Sequence, residues 1–307
     1  MGLMRNGQWL SGDEARTQGK FVREAAVFRN WIAPGGPFPP APDRYHLYVS
    51  LACPWASRAV IVRKLKKLEA VIPMTVVHPD MLENGWTFQG TADPVNGFDY
   101  LYQLYQCSDP NYSGRVTVPV LWDKQRSAVV NNESADIAIM LNRAFDAWGD
   151  SQVDLYPDGL APEIDALNER VYHKLNNAVY RAGFSRDQSA YEDAFDDVFT
   201  MLDELEERLA RRRFLFGERM TLADVRLFTT AVRFDAVYYS HFKCNLRHLW
   251  DYRNLWRWVR EMYQVKGLAA TVDLGQIKRH YYHSQHWVNP SGVVPVGPQV
   301  DFVSARP

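Results

Sequence analysis

Residues 45–67 constrain this chain more than any other stretch. Tyr45, His46, Leu47, Tyr48, Val49 and Ser50 alternate and favour extended backbone, which predicts a strand. Trp55, Ala59 and Val62 then recur at steps of four and three. Arg58, Arg63, Lys64, Lys66 and Lys67 fill the positions between, which predicts an amphipathic helix. Cys53 and Pro54 stand at the joint. Proline is tolerated in the first helical turn, where its missing N–H has no intrahelical partner to lose. Cys53 therefore falls at or beside the N-cap, where unbonded N–H groups and the positive end of the helix dipole favour an anion. A thiol in such a place loses its proton more easily, and the thiolate is the nucleophile. A cysteine in an apolar stretch also serves as a small buried hydrophobe. The helix end alone leaves both readings open.

The rest of the chain narrows the class. With 307 residues, 47% hydrophobic and 23% charged, it is long enough for two domains with real cores. A formal net charge of -1 argues against nucleic-acid binding. Three scattered cysteines, Cys53, Cys107 and Cys244, make neither a disulfide framework nor a zinc signature. The start lacks an apolar signal core, Asn6 departs from a myristoylation motif, and no run is apolar enough for a membrane span. The expectation is a cytoplasmic protein.

Residues 1–44 read as an N-terminal extension with Trp9, Phe21, Phe28 and Trp31 as anchors, draped over the core. After the first strand and helix, residues 71–77 predict a second strand, parallel to the first. Residues 78–115 carry Asn84-Gly85, Asn96-Gly97 and Asp109-Pro110 and read as an irregular insertion. Residues 116–122 are strand-like around Pro119, which belongs at a strand end or edge, or in a cis bond. A short strand at 127–130, a turn at 131–134 and a helix capped by Ser134 complete a unit over 45–148. A loop at 149–162 leads to a helical half over 160–286. Its clearest helix spans 189–212, with a stripe of Tyr191, Phe195, Val198, Leu202, Leu205 and Leu209. Thr221-Leu222-Ala223-Asp224 is a capping box opening a helix that is apolar nearly all round. Another helix is expected at 254–265. Residues 287–307 read as an irregular tail.

A βαβ–ββα unit with cysteine at its first helix, proline before its third strand and a helical second half resembles a thioredoxin-like domain joined to a glutathione-transferase C-terminal domain. The fold class is thus α/β plus all-α. Several runs sharpen this. Ser50-Leu51-Ala52-Cys53-Pro54-Trp55, Gly114-Arg115-Val116-Thr117-Val118-Pro119, Asn131 with Glu133-Ser134, and Arg233-Phe234-Asp235 are four of them. His241-Phe242-Lys243-Cys244-Asn245 and Ile277-Lys278-Arg279-His280-Tyr281-Tyr282 are the others. Together they resemble the glutathionyl-hydroquinone reductases, or Xi-class glutathione transferases. Ser57 stands where that family often has histidine, with little functional effect expected.

The resemblance implies reduction of glutathionyl-hydroquinones to hydroquinones with release of glutathione disulfide. The route is monothiol, since position 56 is Ala56 rather than a second cysteine. Cys53 is implied as nucleophile, Tyr180 as proton donor and acceptor, and Tyr238 and Tyr281 as hydrogen-bond partners of the thiolate. Trp86, Arg115, Val116, Thr117, Val118, Glu133 and Ser134 are implied to hold glutathione, a co-substrate rather than a resident cofactor. A homodimer is implied, without nucleic-acid or membrane partners. Cys107 and Cys244 are read as structural, and the three-residue spacing of His280, His283 and His286 as coincidence rather than a metal site. An Omega-like thiol transferase or dehydroascorbate reductase would use the same cysteine. A non-catalytic interaction module would not need its thiolate.

Overall fold

A computed structural model of the chain describes residues 2–11, 25–90 and 93–304. It divides after Val153 into two compact units. The expected anchor Phe21 lies outside the described residues.

The first unit is built on a four-stranded sheet in the order β4–β3–β5–β6. Strand β3 (Tyr45–Val49) is buried along its whole length. A crossover through helix α1 (Pro54–Leu65) delivers β4 (Met74–Val76) parallel to β3. Strand β5 (Val120–Asp123) pairs antiparallel with β3, and β6 (Ala128–Asn131) antiparallel with β5. The strands fall near the predicted places; β3, β4 and β5 are shorter than expected, and β6 keeps its expected length but is shifted one residue, ending at Asn131. The segment before β5 stays out of the ladder, Pro119 having no N–H to donate; the Val118–Pro119 bond is cis. Helix α3 (Ser134–Arg143) packs against α1.

Three expectations for this unit are corrected. Glu133, not Ser134, is the N-cap of α3: its carboxylate accepts from the Ala135 N–H, and Ser134 is the first helical residue. Helix α1 is buried all round through Val62, so Arg58 is no surface charge. Its guanidinium stacks over Trp55 and donates to Ser134 Oγ at 3.3 Å. The insertion is not wholly irregular, since it contains helix α2 (Tyr102–Ser108).

The described parts of the extension dock in two pieces rather than draping over the core. Strands β1 (Leu3–Arg5) and β2 (Gln8–Leu10) form a hairpin turned by Asn6 and Gly7, both at positive φ. A side chain at Gly7 would meet the Pro110 carbonyl oxygen at 1.8 Å. Met4 and Gly114 exchange backbone hydrogen bonds, so the hairpin is bolted to the insertion. Further on, Asn30 donates to the Val130 carbonyl, Asn132 donates to the Phe28 carbonyl, and Arg29 grips Asp136 at 2.6 Å. Residues 28–30 thereby cover the open edge of β6.

The second unit is helical: α4 (Ala161–Val171), α5 (Ala178–Phe184), α6 (Gln188–Leu209), α7 (Leu222–Arg233), α8 (Arg253–Gln264) and α9 (Leu274–Ser284). Helix α6 buries Ala194, Phe199 and Met201 beside the predicted Val198, Leu202, Leu205 and Leu209, while Tyr191 and Phe195 stay half-exposed. The capping box at α7 forms as predicted. The buried Asp224 carboxylate accepts from the Thr221 N–H at 2.9 Å, the Leu215 N–H at 2.9 Å and Trp258 Nε1 at 3.0 Å. Burial pushes its pKa up, and these donors offset part of that push. A π-turn, Phe234–Tyr238, interrupts the helix that was expected to run on to about residue 239. A second π-turn, Tyr172–Asn176, joins α4 to α5. Helix α9 was not anticipated, although Asp273 caps it by accepting from the Gln276 N–H.

His46, on β3, is buried and bonded to Thr75 Oγ1 at 2.8 Å. Desolvation lowers its pKa from 6.5 to about 4. Between those values the unfolded chain binds the proton and the fold does not, so stability is full above pH 6.5 and is lost as pH falls toward 4. His241 carries the same sign in the second unit. Denaturant unfolding measured across this window is expected to show that slope, and His46→Gln to remove its own share of it.

Candidate active site

The first cluster grows from the end of β3. Beyond Val49 the chain turns on Ser50, whose carbonyl accepts from the Cys53 N–H at 3.2 Å and whose hydroxyl accepts from the Ala52 N–H at 3.3 Å. Cys53 is the N-cap of α1, in extended conformation, with Pro54 as the first helical residue. Its carbonyl accepts from both the N–H and the hydroxyl of Ser57, each at 3.0 Å. Ser57, the departure from the family pattern, thus fastens the cysteine's own peptide group. The Cys53 side chain is half-buried and lies 3.7 Å from the carbonyl oxygen of Val118. The sulfur therefore sits against the backbone that precedes Pro119.

That backbone is held by a residue the sequence did not flag. Tyr105, on α2, is buried, and its hydroxyl donates to the Thr117 carbonyl at 2.8 Å. The same oxygen accepts from the Thr117 N–H and from Asn132 Nδ2, each at 3.2 Å. One phenol thus ties the Thr117–Val118 segment to the turn that leads into Glu133 and Ser134. Among the candidate glutathione contacts, Arg115 is half-buried, and its buried Nε makes no hydrogen bond among the described residues. Trp86 is buried, its carbonyl accepting from the Leu101 N–H at 3.0 Å. Val116 and Val118 are buried, Thr117 half-buried.

The second cluster lies within the helical unit. Tyr180 is on α5, Tyr238 ends the π-turn after α7, and Tyr281 is on α9. The Tyr281 hydroxyl is hydrogen-bonded to that of Tyr180 and lies 3.2 Å from that of Tyr238. Residues distant in sequence thus join three phenols around one central hydroxyl. Burial, with the two neighbouring phenols, pushes Tyr281 well above the usual tyrosine range, so it stays protonated. A neutral phenol both donates and accepts, which suits a chain of hydroxyls to moving a proton.

None of the three cysteines is in a disulfide. Cys244 is buried, and desolvation pushes its thiol up to about 12, in keeping with a packing role. Cys107 is exposed, so burial is not what it supplies. His283 and His286 have ring centroids 5.9 Å apart, and no cluster of three or more metal-ligating side chains occurs among the described residues. Nor is any described helix long and apolar enough to cross a membrane.

A cysteine at the first helix of a small mixed sheet, followed by an all-helical unit, defines a glutathione transferase. Family models agree: the glutathione S-transferase N-terminal domain matches residues 52–144 and the C-terminal domain residues 188–261. The chain is 50% identical to the glutathionyl-hydroquinone reductase PcpF of Sphingobium chlorophenolicum, covering 97% of this chain and 96% of that protein. It is 49% identical to the glutathionyl-hydroquinone reductase YqjG of Escherichia coli, over 98% of this chain and 97% of that one. The glutathione-bound structure of YqjG superposes with a TM-score of 0.87 at 50% identity, covering 90% and 94% of the two chains. A Xi-class transferase from Natrialba magadii gives a TM-score of 0.93 at 42% identity, covering 100% and 96%. The chain belongs to the Xi-class glutathione transferases, the family of the glutathionyl-hydroquinone reductases.

Tyr105→Phe leaves the Thr117 carbonyl without its donor, and the Thr117 N–H and Asn132 Nδ2 without their acceptor. Unsatisfied buried groups of this kind cost about 1–3 kcal/mol. Chemical denaturation of the variant is expected to show a loss in that range.

Proposed function

We propose that this protein reduces glutathionyl-hydroquinones to hydroquinones, consuming one glutathione and releasing glutathione disulfide. The observation that carries the reading is Cys53 at the N-cap of α1, with Ala56 rather than a second cysteine on the next turn, in a member of this family. The Cys53 thiolate attacks the glutathione sulfur of the substrate. A sulfur–sulfur bond forms, the carbon–sulfur bond breaks, and its electron pair goes to the aromatic carbon. That carbon takes a proton from Tyr180, which Tyr281 and Tyr238 back with their own hydroxyls. A second glutathione, as thiolate, attacks the mixed disulfide, freeing glutathione disulfide and the Cys53 thiolate. Its proton returns Tyr180 to the phenol, which closes the balance.

Glutathione is proposed to lie along Val116, Thr117 and Val118 as an added strand. Glu133 and Ser134, at the start of α3, would take its γ-glutamyl end, where an ammonium and a carboxylate meet a side-chain carboxylate and a helix N-terminus. The buried, unbonded Nε of Arg115 supports a carboxylate partner for that side chain. Trp86 is proposed to close one side of the seat. We further infer a cytoplasmic location, in line with three free cysteines, and a homodimer, as the family resemblance implies.

With glutathionyl-menadiol as substrate, Cys53→Ala is expected to abolish turnover and to form no glutathione adduct by mass spectrometry; full activity in that variant would refute the assignment. Tyr180→Phe is expected to slow the thioether reaction by about 10²–10⁴. Reduction of hydroxyethyl disulfide, which protonates no carbon, separates this reading from a simple thiol transferase. The native protein should turn over the thioether efficiently, and Tyr180→Phe should spare the disulfide.

A further inference from the structure

The three candidate tyrosines come from three separate elements, and hydrogen bonds alone do not fix where their rings stand. Their rings meet one another at centroid distances of 5.8 to 6.4 Å, and all three pack against Phe242, which is fully buried. Its ring centroid is 5.3 Å from that of Tyr180, 5.5 Å from Tyr238 and 5.6 Å from Tyr281. It lies nearly parallel to Tyr238, at 12°, and edge-on to Tyr281, at 76°. Both are favoured aromatic geometries. Phe184 closes a further side at 5.2 Å. A flat, rigid ring in contact with all three phenols fixes their separations and tilts together.

The chain makes room for this ring at one position. Gly183 is on α5, three residues after Tyr180. A Cβ there would meet Phe242 Cδ1 at 2.1 Å, Cγ at 2.2 Å and Cβ at 2.7 Å. Glycine in a helix is less favourable than alanine by about 0.5–1 kcal/mol, and here it is the clearance for Phe242 that requires it. The segment bearing Phe242 is pinned on both sides. The His241 N–H donates to the Val237 carbonyl at 2.8 Å, and the Cys244 N–H to the Tyr238 carbonyl at 3.0 Å. Lys243 adopts a left-handed φ of 60°, and its carbonyl accepts from the Tyr191 hydroxyl at 2.7 Å.

We propose that Phe242, admitted by Gly183, is the positioning residue of the proton-transfer step: it holds Tyr180, Tyr238 and Tyr281 in the arrangement that lets Tyr180 deliver its proton. This rests on the function proposed for the tyrosines. Phe242 touches no reacting atom in this scheme, and its effect runs through the three phenols.

Phe242→Leu and Gly183→Ala test it, the first by removing the ring and the second by pushing it out of place. Displacements of about 1 Å cost up to about a hundredfold in rate. Both variants are therefore expected to lose about tenfold or more in kcat on glutathionyl-menadiol. KM for glutathione should hold, and the ratio of thioether to hydroxyethyl disulfide turnover should fall with kcat. A uniform loss on both substrates, or no loss, overturns the proposal. Tyr180→Phe is assayed alongside. If it keeps full thioether turnover, the reading of the tyrosines fails. If it loses turnover while Phe242→Leu keeps it, this inference alone fails. Should Phe242→Leu not fold, Phe242→Met replaces the ring with a flexible side chain that can fill the irregular gap.

Discussion

A proline that can only begin a helix governs the first unit. Pro54 forbids a hydrogen bond from its own nitrogen, so α1 starts there and Cys53 is left as the cap. The Cys53 carbonyl then becomes the first acceptor of the helix, fixed by Ser57. Its side chain, spared from helical geometry, is left half-buried beside the Val118 carbonyl. The buried charge of Arg58, one turn on, reaches Ser134 and so ties the start of α3 to the same helix. The sulfur, the backbone before Pro119 and the start of α3 are thereby registered to one another by a few short-range constraints.

The two units gather groups of different kinds. The first brings together a sulfur, backbone amides and a helix N-terminus. The second brings together three phenols. In the second unit the key positions depend on departures from regular helix. Tyr238 ends a π-turn, and Tyr180 follows another after the single residue Asn177 and the start of α5. An i→i+5 turn inserts one residue and rotates everything after it by about 100° relative to an uninterrupted helix. Asn176 Nδ2, in the first π-turn, donates to Thr230 Oγ1 on α7 at 2.8 Å, so that turn is tied to the helix that leads into the second one.

Much of the fold was legible where its signals are local. Alternation marked β3, proline marked the start of α1, and Thr221 with Asp224 marked α7. The cysteine's place followed from the same local rule. Other features were not legible because their causes lie far away in the chain. Arg58 reads as a surface charge until its partner, Ser134, is known. Tyr105 reads as one more aromatic in an insertion until Thr117 and Asn132 close around its hydroxyl. The π-turns carry no periodicity of their own. The convergence of Tyr180, Tyr238 and Tyr281 is a tertiary fact that no spacing encodes, and the family resemblance supplied those residues without supplying their contacts. One miss was avoidable: Asn6-Gly7 is a strong local hairpin signal.

The covering of β6 by residues 28–30 has a consequence for the order in which this molecule is made. The backbone bond from the Asn132 N–H to the Phe28 carbonyl, and that from the Phe28 N–H to Asn132 Oδ1, span 104 residues. During synthesis the covering segment leaves the ribosome long before the strand it protects. At about 5–20 residues per second, it waits on the order of 5–20 seconds for its partner. Over that interval Phe28-Arg29-Asn30 has only solvent, chaperones or other nascent chains to meet. The extension is thus a late-closing piece of the first unit, and the sheet gains its guarded edge only when that piece returns.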